Sequence, residues 1–214
     1  MTYKFFRRVF SQNYFASSEL IIPNLRIIPS KKHGIIRNDI SPCALKVTLV
    51  LKEAGYSAFI VGGAVRDLLL GLKPKDFDIA TNAKPEEIRA LFRRSRIIGR
   101  RFRLVHVMCR SDTVEVSTFR SGSFINKHGR PRKYQHADEH GRILRDNVFG
   151  SQEEDVKRRD FTINALFYDP DTEEIWDYLS GYSDIKSKTL RIIGEPIQRY
   201  REDPIRILRA VRLS

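Results

Sequence analysis

The stretch Phe59-Ile-Val-Gly-Gly-Ala-Val-Arg-Asp67 decides the local fold. The apolar run over 57–61 predicts a buried strand, and residues 64–70 return to a helical pattern directly after two glycines. Glycines at such a turn let backbone amides come close to a ligand, and the following helix adds partial positive charge, so the turn suits a phosphate group. Arg66, on the first helical turn, adds a guanidinium that pairs with phosphate oxygens. A Gly-Gly pair alone is more often a plain tight turn, so the neighbouring motifs must decide.

A pair of aspartates follows in Lys75-Asp-Phe-Asp78, which the pattern places on a second strand over 76–80. Residues two apart on a strand face the same way, so Asp76 and Asp78 are expected side by side. Adjacent carboxylates repel each other unless a divalent cation takes both as oxygen ligands. Glu115, on the polar face of a later strand, offers a third ligand. Alone, the pair would be two solvated acids, but the preceding glycine turn and the later acid favour a metal site.

A third motif, Arg158-Arg-Asp-Phe-Thr-Ile-Asn-Ala-Leu166, sets charged residues beside an apolar segment. If the stretch is helical, Asn164 lies one turn beyond Asp160. Such a group can hold a triphosphate through Arg159 and a ribose hydroxyl through Asp160 or Asn164. The alternative is a surface ion pair at a helix end, which contributes little to stability.

The fourth motif is Tyr200-Arg-Glu-Asp-Pro-Ile-Arg-Ile-Leu-Arg-Ala-Val-Arg212, with a predicted helix from about residue 204. Asp203, Arg206 and Arg209 recur every three residues, so they are expected on one helix face, opposite an aliphatic stripe. A carboxylate accepts from an amino group and a guanidinium donates to a ring nitrogen or carbonyl, so this face can read a base edge. The spacing fits an ordinary charged helix face equally well.

The composition describes a basic globular protein. Among 214 residues, 39 Lys and Arg face 26 Asp and Glu, a formal charge of +13. The excess favours nucleic acid as a partner because neutralised phosphates release counterions, although solubility explains the charge alone equally well. No apolar run approaches the ~18 residues of a spanning helix, so no membrane partner is expected. Cys43 and Cys109 are too few for a disulfide scaffold or zinc cluster, which predicts a reducing, cytoplasmic compartment.

Capping residues predict where several helices begin. Ser41 followed by proline starts one helix, a proline precedes another over 86–93, and Ser151 opens a capping box. Apolar and alternating patterns predict two further strands over 103–108 and 113–119. The predicted fold class is therefore α/β (α+β), with a mixed sheet flanked by helices.

The chain divides into three predicted regions. Residues 1–40 form a basic, largely irregular arm, for which a mitochondrial transit peptide is an alternative that two prolines disfavour. Residues 41–180 form the α/β head, in which the nearly apolar-free stretch over 121–147 is expected to be a mobile loop that closes near the ligand. Residues 181–214 begin a helical neck that the chain leaves incomplete.

Together the four motifs resemble the class II template-independent nucleotidyltransferases, the superfamily of the bacterial poly(A) polymerases and the tRNA CCA-adding enzymes. The resemblance runs from about residue 28 to residue 214 and implies a nucleotidyltransferase head, or palm, from the N-terminal part of such an enzyme. Three stretches look like the poly(A) polymerase branch: Ile97-Ile-Gly-Arg-Arg-Phe-Arg-Leu-Val-His-Val107, His33-Gly-Ile-Ile-Arg37 and Asp39-Ile-Ser-Pro-Cys-Ala-Leu-Lys-Val47.

The resemblance implies a role for each motif. Asp76 and Asp78 match the metal-binding aspartates, Glu115 matches the third acid, and Asp160 is often counted with the active site. The other matching positions contact the nucleotide, and the last three of them read its base: Gly62, Gly63, Arg66, Arg159, Asn164, Asp203, Arg206 and Arg209.

The implied reaction is attack by an RNA 3′-hydroxyl on the α-phosphate of ATP, assisted by two Mg²⁺ ions, with RNA polyadenylation in mRNA processing and decay as its setting. RNA 3′ ends and ATP are the expected partners, and protein partners are left open. One alternative is a CCA-adding enzyme, which shares the catalytic residues but accepts CTP and uses tRNA as primer. The other is a truncated remnant that binds RNA or nucleotide without activity.

Overall fold

The computed structural model describes residues 25–99, 102–110, 112–121, 135–137, 143–146 and 148–214. The predicted arm up to residue 24 and most of the predicted mobile loop lie outside them. No helix among these residues is long and apolar enough to cross a membrane. The strands are β1 (Arg26–Ile28), β2 (Ala58–Val61), β3 (Asp78–Thr81), β4 (Ser95–Ile98), β5 (Leu104–Met108), β6 (Thr113–Thr118), β7 (Gln135–Ala137), β8 (Ile143–Asp146), β9 (Leu166–Asp169) and β10 (Glu174–Asp177). The helices are α1 (Ser30–His33), α2 (Pro42–Glu53), α3 (Gly63–Leu69), α4 (Pro85–Leu91), α5 (Gln152–Arg158), α6 (Gly181–Lys186), α7 (Pro196–Glu202) and α8 (Ile205–Leu213), with 3₁₀ turns at Arg37–Asp39 and Thr162–Asn164.

Eight strands form one mixed sheet in the order β1-β10-β9-β2-β3-β6-β5-β4. Among its described pairings, β3 and β6 are parallel and the others are antiparallel. The predicted mixed sheet flanked by helices is confirmed. Because β3 and β6 run in the same direction at the centre of the sheet, they present their first residues at the same edge.

The central strand β2 is buried on both faces, which explains its continuous apolar sequence. Ala58 and Ile60 face a core shared with α2, α3 and α4, whereas Phe59 and Val61 face a second core of aromatic residues. In that second core the ring centre of Phe59 lies 5.1 Å from that of Trp176. The sheet therefore separates two hydrophobic layers, and the side chains of the aromatic layer lie on the same sheet face as Asp78.

The predicted helix caps are confirmed. The Ser41 hydroxyl accepts hydrogen bonds from the backbone N–H groups of Cys43 and Ala44 at 3.1 and 3.4 Å. The Ser151 hydroxyl accepts from the Glu154 N–H at 3.2 Å, and the Glu154 carboxylate accepts in return from the Ser151 N–H at 2.9 Å. This capping box begins α5 immediately before the third motif.

Several elements differ from the sequence prediction. β3 begins at Asp78 rather than at residue 76, because its pairing with β2 ends where the chain turns at Gly62. Residues 26–28, predicted as part of an irregular arm, form an edge strand against β10, a contact too distant in sequence to leave a local signal. Within the predicted loop over 121–147, β7 and β8 pair with each other. β4, α6 and α7 were not predicted as elements.

A disulfide bond joins Cys43 at the start of α2 to Cys109 just after β5. The sequence had suggested a reducing compartment, in which such a bond is uncommon. Folding places the two Cα atoms 5.9 Å apart although the residues are 66 positions apart in sequence. That distance lies within the range over which cysteines are bridged without backbone movement.

We expect the folded chain to show no free thiol and to lose stability on reduction. A disulfide bond typically contributes about 2 to 4 kcal/mol, mainly by restricting the unfolded chain. Thiol titration of the unreduced protein and urea unfolding with and without reductant measure both quantities. The paired variant Cys43→Ser with Cys109→Ser is the control, and its stability should not respond to reductant. Two titratable thiols in the unreduced wild type would contradict the expectation.

Candidate active site

Two acids are neighbours at one end of the parallel strand pair, and a third lies just before it. Asp78 is the first residue of β3, and its register partner on β6 is Glu115. Asp76 lies two residues before the strand and is exposed, yet its charge acts on Asp78, as does that of Glu115. His106 on β5 lies opposite Glu115, with Nε2 3.5 Å from Oε2. The structure therefore places Asp78 and Glu115 side by side and Asp76 close enough for its charge to act on Asp78, although Asp76 is outside the strand that was expected to hold it.

The carboxyl group of Asp78 is harder to ionise than an ordinary aspartate. Burial, followed by the negative charge of Glu115, raises its pKa from 3.8 to about 6, and Asp76 adds to this while Arg159 and Arg209 oppose it. Asp78 is nevertheless exposed to solvent, so its carboxyl group can be reached from one side. Crowded carboxylates with an open side fit a divalent cation, because its charge would relieve their repulsion.

The glycine turn brings a cation and a carboxylate to one point. Gly62 directly follows β2 with φ at +72°, a conformation that favours glycine. A methyl group at this position would lie 3.7 Å from Arg159 Nη1 and 3.9 Å from Asp78 Oδ2. Gly63 then begins α3. The absence of a side chain at Gly62 therefore leaves a small space bounded by backbone, guanidinium and carboxylate.

Arg66 is held by side chains on both sides. Its Nε and Nη2 donate to Asp67 Oδ1 at 2.9 and 2.6 Å, and its Nη1 donates to Asn164 Oδ1 at 2.7 Å. The Asn164 amide donates in turn to Asp160 Oδ1 at 3.2 Å. Both Asn164 and Asp160 are buried. Predicted residues of the first and third motifs thus belong to one hydrogen-bonded chain.

Arg159 follows the last residue of α5 and turns towards the acids. Its Nε and Nη2 donate to Asp155 Oδ2 at 3.1 and 3.0 Å, and its Nη1 donates to the Asn164 carbonyl at 3.3 Å. The guanidinium carbon lies 4.9 Å from the ring centre of Phe167, a cation–π contact on the aromatic layer. These contacts fix a positive charge next to Asp78.

Arg209 connects α8 to the same cluster. Its Nη2 lies 2.8 Å from Asp160 Oδ2, an ion pair whose geometry does not make it a hydrogen bond. The Asp160 side chain is 8% exposed, whereas that of Arg209 is 48% exposed. The pair therefore anchors a half-exposed arginine of the terminal helix on a buried acid of the third motif.

The three residues predicted to read a base do not share one helix face. Asp203 lies before α8 in an extended conformation, with φ −151° and ψ 95°, because Pro204 cannot continue the hydrogen bonding of α7. Arg206 is 8% exposed, and its Nη1 donates to the Arg199 carbonyl at 2.5 Å and lies 3.4 Å from Glu202 Oε2. The expectation of one shared face is therefore corrected.

The aliphatic stripe of α8 is largely exposed among the described residues, with Leu208 and Val211 each at 70%.

Sequence reasoning missed two residues that hold the third motif in place. Asp155 lies four residues before Arg159 on a predicted helix, a spacing that brings side chains together and was a usable signal. Arg199 on α7 donates from Nη2 to the carbonyls of Arg158 and Arg159 at 2.5 and 2.8 Å. These partners lie 41 and 40 residues away in sequence, so no local pattern indicates the contact.

The prediction of a metal site rests on the kind of donor atoms present and not on an arranged set of ligands. Among the residues that the structure describes, no three His, Cys, Asp or Glu side chains are arranged to hold a metal ion. The carboxylates of Asp76, Asp78 and Glu115 are hard oxygen donors of the kind Mg²⁺ prefers, and the charges of Glu115 and Asp76 add to the effect of burial in raising the pKa of Asp78.

Comparison with known families agrees with this geometry. A family model described as the poly(A) polymerase head domain matches residues 58–191, which include the glycine turn, the acids and the third motif. The chain belongs to the poly(A) polymerase head-domain family.

Relatives of this head domain carry two different names. Poly(A) polymerase I of Escherichia coli is 50% identical over 211 residues, which are 98% of this chain and 45% of that protein. The CCA-adding enzyme of Bacillus subtilis is 40% identical over 169 residues, 79% of this chain and 39% of that protein. The chain spans less than half the length of these relatives.

A solved structure shares the head-domain fold. The crystal structure of the Bacillus stearothermophilus CCA-adding enzyme in complex with CTP aligns with a TM-score of 0.64 and 37% identity. The alignment covers 80% of this chain and 39% of that chain. The nucleotidyltransferase head predicted from the motifs is confirmed as a fold.

Replacing Asp78 by asparagine should stabilise the metal-free chain at neutral pH. The folded pKa of about 6 lies above the ordinary value of 3.8, so ionising this carboxyl destabilises the folded state as pH rises through that interval. With chelator present, the melting temperature of Asp78→Asn should exceed that of wild type at about pH 8 and match it near pH 3.5. Glu53→Gln, a change of an exposed acid on α2, is the control for the loss of one carboxylate elsewhere. A wild type as stable as the variant at the higher pH would refute this account.

Proposed function

We propose that this chain is the head of an enzyme that transfers AMP from ATP to the 3′ end of RNA and releases pyrophosphate. The observation that carries the proposal is the meeting of the Gly62 turn, the Asp78 carboxylate and the Arg159 guanidinium at one small space. Nucleotidyl transfer needs positive groups for the phosphates and acids for the metal ions, and both kinds lie within contact distance of that point. The names of the similar proteins support the same reaction class.

We propose that Asp76 and Asp78 hold Mg²⁺, with Glu115 beside them. Their fit rests on three oxygen-donor side chains whose mutual repulsion a cation would offset. Bound Mg²⁺ would lower the pKa of the attacking hydroxyl and offset the charge that develops on the leaving oxygens. The protein needs no nucleophilic side chain for this reaction, because the RNA supplies the attacking oxygen.

The nucleotide would be held by backbone and guanidinium groups. Arg159, fixed by its partners, directs Nη1 to the space beside Gly62, where a phosphate oxygen would meet a charged donor. Arg66 on α3 supplies a second guanidinium, held in place by Asp67 and Asn164. Asp160 and Asn164 are buried and already bonded to each other, so ribose recognition would use the acceptor positions that these bonds leave open.

Base recognition would come from the segment that joins α7 to α8. Asp203 is partly exposed and offers a carboxylate acceptor for the amino group of adenine. Arg206 has Nη1 engaged with the Arg199 carbonyl, so it would use its remaining N–H groups as donors to the adenine ring. Arg209 on α8 is half exposed and is anchored by its ion pair with Asp160. The formal charge of +13 suits RNA as the second substrate.

The test of this proposal is AMP incorporation from labelled ATP into a generic RNA by the full-length protein that carries this chain. Asp76→Ala and Asp78→Ala should each reduce incorporation at least about 1,000-fold, since several kcal/mol of transition-state stabilisation would be lost. Glu53→Ala, on the opposite side of the sheet, should leave the rate unchanged. Retained turnover by either aspartate variant would refute the assignment.

A parallel reaction with tRNA lacking its terminal CCA and with CTP separates the related activity. Incorporation of CMP into that tRNA, with little AMP addition to generic RNA, would identify a CCA-adding enzyme instead.

Arg206→Ala should reduce the use of ATP by about 5- to 150-fold, as expected for losing a buried hydrogen-bond donor at a cost of ~1 to 3 kcal/mol. It should also weaken selection against GTP and UTP, because those bases present a donor where this arginine donates. Arg212→Ala, a change of an exposed residue one turn beyond Arg209, should do neither. The measurement is kcat/KM for all four nucleotides, with melting temperatures recorded because Arg206 is buried. Equal losses for every nucleotide would show that Arg206 supports the fold without reading the base.

A further inference from the structure

We infer that Asp155 is a positioning residue that holds the Arg159 guanidinium in the nucleotide site and away from Asp78. This inference rests on the proposed function, because it concerns how the site holds a nucleotide. Asp155 is 8% exposed and lies in the middle of α5, one helical turn before Arg159. It is outside the set of residues that the motifs placed in contact with nucleotide or metal.

The two oxygens of Asp155 have separate partners. Oδ2 accepts from both Nε and Nη2 of Arg159, at 3.1 and 3.0 Å. Oδ1 accepts from the backbone N–H of Arg120, two residues beyond the end of β6, at 3.2 Å. The Asp155 carboxylate is therefore held by the Arg120 backbone through one oxygen and binds one edge of the Arg159 guanidinium through the other. A buried, charge-assisted contact of this kind is among the stronger side-chain interactions.

The contact with Asp155 determines which nitrogen of Arg159 faces the space beside Gly62. With Nε and Nη2 bound to Asp155, Nη1 points to the Asn164 carbonyl and to the space beside Gly62. Asp78 Oδ2 borders the same space. A guanidinium released from Asp155 would be free to pair directly with the Asp78 carboxylate, which would take an oxygen needed for a cation and a donor needed for phosphate. Asp155 prevents that pairing because it binds the Arg159 guanidinium itself.

The adjacent acid Glu154 provides a matched control. It lies on the same helix and also binds the end of the β6 segment, since Glu154 Oε1 accepts from the Ser121 hydroxyl at 3.0 Å. Its other oxygen completes the capping box with Ser151. Among the described residues these contacts include none with Arg159, Asp78 or the glycine turn. A role in stabilising α5 is therefore shared by the two acids, whereas a role in positioning Arg159 belongs to Asp155.

The experiment measures binding of ATP with Mg²⁺ to the 214-residue chain by calorimetry, together with the melting temperature of each variant. Asp155→Asn keeps the size and one acceptor but removes the charge, and we expect it to weaken ATP binding about tenfold. Glu154→Gln should change the melting temperature by a comparable amount and leave ATP binding unchanged.

A double-mutant cycle with Arg159→Gln separates positioning from a merely structural role. If Asp155 acts through Arg159, adding Asp155→Asn to Arg159→Gln should weaken binding no further.

Three outcomes would overturn the inference in different ways. Equal ATP affinity of wild type and Asp155→Asn refutes it while leaving the proposed function intact. Fully additive losses in the cycle refute the route through Arg159. Failure of the wild-type chain to bind ATP with Mg²⁺ counts against the proposed function itself, and the inference falls with it.

Discussion

Two like-charged carboxylates, Asp78 and Glu115, are register neighbours on the parallel strands β3 and β6, and the surrounding structure compensates for their repulsion. The sheet cannot separate them, because each is fixed by strand pairing on a central element. The repulsion is offset instead by guanidinium groups from other parts of the chain. The charges of Arg159 and Arg209 both act to lower the pKa of Asp78. Each of these arginines is itself bound to a buried acid, so the positive charge stays near the carboxylates without neutralising them directly.

A second cluster of charged residues, on α7 and α8, is buried and contacts the end of α5. Arg199, Glu202 and Arg206 are all buried, with two positive charges for one negative charge. Burial, followed by the charge of Arg206, lowers the pKa of Arg199, and Glu202 opposes that shift. The second positive charge is offset by backbone carbonyls, since Arg199 donates to those at the end of α5 and Arg206 donates to the Arg199 carbonyl. Carbonyls at a helix C-terminus carry partial negative charge, so the hydrogen bonds from Arg199 attach α7 to the negative end of α5.

Local chemistry was predictable from sequence, and long-range placement was not. The acids of the second motif, the glycine turn and the capping box at Ser151 each depend on neighbours within a few residues, so their residue patterns are visible in the sequence itself. The shared face expected for Asp203 and Arg206 failed because a proline interrupts the helix, and periodicity alone does not show where a helix is broken. Contacts such as that of Arg199 with α5 bridge some 40 residues, so only the fold reveals them.

The edge strand β1 can join the sheet only late in synthesis, because its partner β10 lies far along the chain. Arg26 pairs with Asp177, so 151 residues separate the two positions (177 − 26). At roughly 5 to 20 residues per second, a ribosome needs on the order of 10 to 30 s to produce the partner strand. Until then Ile28, which is buried in the finished sheet, has no strand to pair with. The antiparallel pair of β5 and β6 is complete after Thr118, so the newborn chain can build the sheet from that edge and add its first strand last.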